Sequence, residues 1–164
     1  MDPIFQWLYD TPLAAAIRES GTLFPWIESV HVLAITLVVG SMIVIDLRLL
    51  GFASRNRAIS KLSGEVLPFT WACFVVAAIT GLLLFSSNAV KYSHNIFFLS
   101  KMALLVIAFL NMLVFQFITS RGIEFWDEAP KVPIGVRLAG AISLCVWIGV
   151  IACGRWIGFT MSAF

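Results

Sequence analysis

Four apolar runs, each long enough to cross a bilayer, constrain this chain more than any other feature. They cover residues 24–47, 67–86, 96–118 and 136–159, and a helix needs about 20 mainly apolar residues to span the hydrocarbon core. Inside lipid every backbone N–H and C=O must be satisfied within the chain, so such a run is expected to be a helix. The rest of the composition agrees. Of the 164 residues, 60% are hydrophobic and 12% charged, against about 25% charged in an average soluble domain. So little charge cannot cover a globule in water. The expected fold is therefore all-α, an integral membrane four-helix bundle over residues 24–164 behind an N-terminal interfacial amphipathic helical segment over residues 1–23.

Punctuation at the ends of the runs supports helices. Pro25 and Pro68 fall where a first turn is expected, and a missing N–H costs nothing there. Ser93 or Asn95 can cap the third span and Gly122 follows its end. Pro130 and Pro133 keep the stretch before the fourth span irregular. Near the N-terminus, Thr11-Pro12 reads as N-cap and N1 of a short helix that stops at Gly21. With Ile4, Phe5, Trp7 and Leu8 ahead of it, this segment is expected to lie flat at the membrane interface, with Trp7 and Trp26 in the aromatic belt. Met1-Asp2-Pro3-Ile4 lacks the basic stretch of a cleavable signal, and Asp10 and Pro12 break the first apolar run. Cys73, Cys145 and Cys153 sit inside apolar runs without zinc spacing and read as small hydrophobes.

Lysine and arginine set the expected orientation. Arg48, Arg55, Arg57 and Lys61 lie between the first two spans, and Arg121, Lys131 and Arg137 between the last two. Arg18, Lys91, Lys101 and Arg155 lie on the other side, four against seven. The positive-inside rule then places both loops in the cytoplasm and both termini outside, in a multi-pass inner-membrane arrangement. A net charge of +2 is too small to point to a nucleic-acid partner.

Ionisable side chains inside spans are expensive and by default point to function or pairing. From the helical rise, His31 lies about 10 Å inside the outer end of the first span, Lys101 about 7 Å inside the third, and Arg155 about 6 Å inside the fourth. Three helices thus bring cationic or cationisable groups to one outer-leaflet layer. Glu28, one turn before His31, shares its face and can orient or charge-pair with it. Clustered cations repel, so a site here should hold an anionic group. A heme b fits that requirement. His31 would be its axial ligand, Glu28 the orienting partner, and Lys101 and Arg155 the clamp on the propionates. His94, the other histidine, offers a second axial ligand if its loop folds inward. A quinone head group could use His31 and Lys101 as hydrogen-bond donors. Copper(I) is a further alternative, through His31 with Met42, Met102 and Met112. The bland reading is that Lys101 and Arg155 reach out to lipid head groups while His31 bonds a neighbouring carbonyl.

At the inner end, Asp46 and Arg48 are two apart and point to nearly opposite sides of their helix. Asp46 is expected to pair with Arg137, latching the helices. Asn111, in mid-span, is expected to make an interhelical hydrogen bond, and Gly40-Ser41, Thr80-Gly81 and Gly149 to permit close helix approach. Nothing forms a hydrolase triad, a P-loop or a paired-carboxylate site. Phe97, Phe98, Phe115 and Phe117 offer surfaces for a homo-oligomer or a larger membrane complex, beyond the lipid bilayer itself. A copper or small-solute transporter, or a structural subunit of such a complex, is the alternative function.

The stretch Glu28-Ser-Val-His-Val-Leu-Ala, with Gly40-Ser41 and Asp46-Leu-Arg-Leu-Leu-Gly51, resembles an uncharacterised family of bacterial four-helix membrane proteins. The resemblance continues through Pro68-Phe-Thr-Trp71, Thr80-Gly81-Leu-Leu-Leu-Phe85, Lys101, Asn111 and Gly154-Arg155-Trp156-Ile157. It implies the fold and supplies no activity. More distantly, a histidine early in the first span and a lysine early in the third are similar to the membrane-bound heme-binding protoporphyrinogen oxidase and to the membrane component of copper-resistance systems. The chain departs from the oxidase in its wider motif set, so the likeness implies cofactor binding and not that activity.

Overall fold

The structure, a computed structural model, describes residues 3–52, 58–115, 117, 127 and 133–162. The expectations placed on Arg55, Arg57, Arg121, Gly122, Pro130 and Lys131 fall outside these residues. In chain order the helices are α1 (Pro3–Tyr9), α2 (Pro12–Glu19), α3 (Leu23–Leu50), α4 (Ile59–Ser87), α5 (Ala89–Ser93), α6 (Ile96–Val114) and α7 (Ile134–Ser162). No strand occurs among the described residues. Four helices, α3, α4, α6 and α7, are long and apolar enough to cross a membrane, with mean hydropathies of 2.1 to 2.3. Their outer surface is apolar as well. No residue of α6 is buried, and Leu99, Val106, Ile107, Phe109 and Leu110 all face outward. Water would not tolerate such a face, but lipid does. The chain is a multi-pass membrane protein.

Packing runs through two pairs, α3 with α4 and α6 with α7, and the pairs are joined where α3 meets α7. The α4 and α6 backbones barely meet. The mid-bundle core holds Val38 and Val39 of α3, Cys73 of α4, and Val146, Trp147 and Val150 of α7. Close approach depends on two glycines. A Cβ on Gly140 would lie 2.9 Å from Leu49 Cβ and 3.2 Å from the Asp46 carbonyl, and one on Gly149 would lie 3.0 Å from Leu104 Cδ1. Gly40 differs from expectation, since nothing lies within 4 Å of its place for a side chain.

Helix α4 begins at Ile59, well before residue 67, so Pro68 sits inside it rather than in its first turn. An interior proline removes one hydrogen bond and crowds the carbonyl four residues back. The helix nonetheless continues, because Ile59 and Leu62 before the proline and Thr70 and Cys73 after it are all buried in the bundle. At the other end, Asn95 caps α6, its Oδ1 accepting from the Phe97 and Phe98 amides at 2.9 and 3.2 Å. Phe97 leans on Trp156, Phe98 stacks on Phe85 at 5.2 Å, and Phe115 joins the core at the loop end. Phe117 alone of these four aromatics stays exposed.

Thr11 caps α2 as its sequence indicates, accepting from the Ala14 amide at 3.3 Å with Pro12 next. The N-terminal segment docks on the bundle. Ala14 and Ile17 are buried, and Phe5 meets Phe85 edge-on at 5.9 Å. Arg18 stacks over Tyr9, and its Nη1 donates to the carbonyls of Tyr9 and Ser87, each at 3.2 Å. That arginine pins α1 and α2 to the end of α4.

The start of α4 is capped from a distant part of the chain. Ala58, at the N-cap, has no side chain for the task. Asp127 supplies it: Oδ1 accepts from the Ser60 amide at 2.9 Å, and the Ser60 hydroxyl donates to Oδ2. The Asp127 carbonyl in turn accepts from Arg48 Nη2 at 3.2 Å. Burial alone would raise the Asp127 pKa, but the Ser60 side-chain and backbone bonds, the Ile59 amide and the Arg48 charge together hold it below the usual carboxylate range. Asp127→Ala is expected to lower stability by about 1 kcal/mol, as for other lost caps. A carboxyl with a lowered folded pKa stabilises above its unfolded value. The difference between the two proteins should therefore persist at pH 5 and close only as the pH falls below about 4, measured by unfolding in detergent.

Candidate functional site

His31 shares a face of α3 with Ala34 and Val38, both buried, so its ring turns into the bundle. There it meets α4. His31 Nδ1 lies 2.9 Å from Thr80 Oγ1, and that hydroxyl reaches the Val76 carbonyl at 2.7 Å and the Ala77 carbonyl at 3.2 Å. The next residue makes room for the ring, because a Cβ on Gly81 would stand 2.9 Å from His31 Cε1. Lys101 of α6 lies close enough to the imidazole to act on it electrostatically. Cys153 of α7 lies near Lys101, and a Cβ on Gly154 would be 3.9 Å from Lys101 Nζ. All four spans thus contribute to one half-buried layer near the end of the bundle that carries the termini. The imidazole also hydrogen-bonds the Ala77 carbonyl, one turn before Gly81.

A family of unknown function (DUF6644) matches residues 4–160. The chain belongs to it. That membership covers all four spans and every residue of the layer, and it brings no activity with it. No curated protein and no solved structure matches the chain.

In this family member, three expected participants stand apart from His31. Arg155 is exposed, its guanidinium 4.9 Å above the Phe159 ring. The buried stripe of α7 runs through Val136, Ala139, Ser143, Val146, Val150 and Ile157. Gly154 approaches Lys101, and Arg155 lies about 100° further round the helix. Of the two cations expected beside His31, only Lys101 lies close enough to act on it. Glu28 is exposed and acts on Tyr92 rather than orienting His31. Burial raises the Tyr92 phenol pKa, and the Glu28 charge adds to that. His94 closes α5 on the surface, exposed. The sequence reading missed Thr80 as the residue that holds His31. In sequence it reads only as a small residue that permits close helix approach.

The polar layer at the opposite end of the bundle also differs from expectation. Asp46 is 1% exposed, and Ser143 of α7, not Arg137, hydrogen-bonds its carboxyl. Arg137 is exposed at the start of α7. Asp46 Oδ2 has no partner among the described residues. Arg48, 2% exposed, turns to Asp127 as described. Asn111 behaves as expected, its Nδ2 donating to the Ala139 carbonyl at 3.0 Å and tying α6 to α7. Among the described residues no three His, Cys, Asp or Glu side chains gather as metal ligands. Met42 packs against the mid-bundle core, about 16 Å along α3 from His31. A separate groove of about 380 Å³ opens between α3 and α4 beside Thr36, Gly40, Ser41, Glu65 and Phe69.

Proposed function

We propose that the chain is a membrane-embedded heme b protein with a redox or electron-transfer role. Its site would lie in the outer leaflet of a bacterial cytoplasmic membrane, with both termini outside. One observation carries this reading: the His31 ring is held at Nδ1 by Thr80 and turned in among apolar helices long enough to cross a membrane. Metal-binding histidines are held in this manner, through the ring nitrogen that does not meet the metal. Bundle interiors are frequent seats for such cofactors.

The residues suit the group. His31 Nε2 would ligate the iron, Thr80 would keep the ring in place, and Lys101 Nζ would pair with a propionate. Bound heme would supply a one-electron couple. The chain's part is to bind it and to hold the imidazole at a fixed angle through Thr80 and Gly81. The likeness to the heme-binding oxidase and to the copper-resistance components rests on the His31 and Lys101 positions alone. The nearness of the Lys101 ammonium to His31 also favours a second reading, a quinone whose carbonyl accepts from Lys101 Nζ beside His31.

An absorption spectrum of the protein purified after heme-replete expression tests the first reading. A Soret band that shifts on reduction is the expected result. A colourless protein overturns it, and quinone recovered by solvent extraction from the same sample then supports the second.

A further inference from the structure

The Thr80 hydroxyl has one proton to give and two lone pairs with which to accept. Its position within α4 decides where that proton goes. The Val76 carbonyl lies 2.7 Å away, one turn back, and the Ala77 carbonyl 3.2 Å away. Both are acceptors only, so the proton stays within α4, as is usual for threonine in a helix. Toward His31, the hydroxyl therefore presents a lone pair. At 2.9 Å, Nδ1 must bring the hydrogen, since two lone pairs facing each other at that distance would repel. A neutral imidazole carries a single N–H.

We infer that Thr80 is the positioning residue of the site: it fixes His31 in the Nδ1–H tautomer and so presents Nε2 as a bare lone pair. The inference rests on His31 being the binding residue of the proposed site, but not on heme as its ligand. Gly81 completes the device. The ring edge occupies the place of its missing side chain, so the imidazole is held by a hydrogen bond at one nitrogen and by contact at Cε1. A ligand at this site is then one that accepts the lone pair, as a metal ion does, or that gives a proton to it, as a quinol hydroxyl does.

Nitrogen NMR of protein labelled with ¹⁵N-histidine, in lipid nanodiscs without added heme, reads the tautomer directly. The chain has two histidines, and His94→Gln identifies the His31 signals. The expected pattern is a protonated Nδ1 and an unprotonated Nε2. Thr80→Ser should keep that pattern, and Thr80→Val should reverse or average it. A Nε2–H tautomer in the wild-type protein overturns the inference, as does a Thr80→Val spectrum indistinguishable from wild type. If Thr80→Val does not fold, the wild-type and Thr80→Ser spectra decide the matter. In a heme titration, Thr80→Val should weaken binding about 10–100-fold, the usual effect of removing a partner behind a metal ligand. A protein with the expected tautomer and no affinity for heme overturns the heme reading alone. Unchanged heme affinity in Thr80→Val overturns the Thr80 assignment alone.

Discussion

A His31→Ala variant is expected to lose the Soret band entirely, while His94→Ala keeps it. The contrast follows from where the two rings lie. His31 reaches between the helices with a nitrogen to offer, whereas His94 is exposed at the end of α5. No other imidazole exists in the chain. A site with one axial ligand has no substitute once that ligand is cut to a methyl group. Heme would then be held only by apolar contact and by Lys101. Adding imidazole to the His31→Ala protein should restore part of the band, because the space left by the ring is otherwise intact. Two outcomes count against the assignment of ligand: a band that survives His31→Ala, or one that disappears in His94→Ala while the helical circular dichroism stays unchanged.

The second large effect concerns stability. Gly140→Leu is expected to separate α3 from α7 and to lower the melting temperature more than a glycine replacement elsewhere in α7. Even a Cβ there meets Leu49 Cβ at 2.9 Å and the Asp46 carbonyl at 3.2 Å. Neither is the far end of a flexible side chain, so the helix itself has to move. Overfilling a packed contact costs about 1–3 kcal/mol, occasionally more, and a leucine adds far more volume than one methyl group. The gain in helix propensity from losing a glycine, about 1 kcal/mol, offsets only part of this. Gly158→Ala is the control. Nothing lies within 4 Å of its side-chain position, so it should be neutral or slightly stabilising. Equal melting temperatures for Gly140→Leu and Gly158→Ala would remove the argument for a close α3–α7 contact.

Much of the architecture was legible because lipid imposes a length and a composition on each span. The caps at Thr11 and Asn95 and the bond from Asn111 were legible too, since each needs only a residue type at a helix end or in mid-span. The site was harder to read because depth along a helix follows from counting residues, whereas facing depends on the angle around it. His31, Lys101 and Arg155 share a level, yet one residue of rotation turns Arg155 outward. The buried stripe of α7 could have revealed this, since Val146, Val150 and Ile157 repeat at helical spacing and position 155 is off that register. The same uncertainty gave Asp46 the wrong partner. A charged pair is the obvious match in sequence, but the hydroxyl of Ser143 is what faces it. The cap from Asp127 onto α4 could not be read at all, because it joins residues 67 positions apart in the chain.

The bond from Arg18 to the carbonyl of Ser87 also bears on biosynthesis. A ribosome finishes α1 and α2 long before it makes the surface on which they dock. Until the second span has been threaded into the bilayer, Arg18 lacks that carbonyl and Ile17 has no place to bury. The N-terminal helices therefore settle last among the parts made first, and their docking marks the moment when the leading half of the protein is correctly inserted.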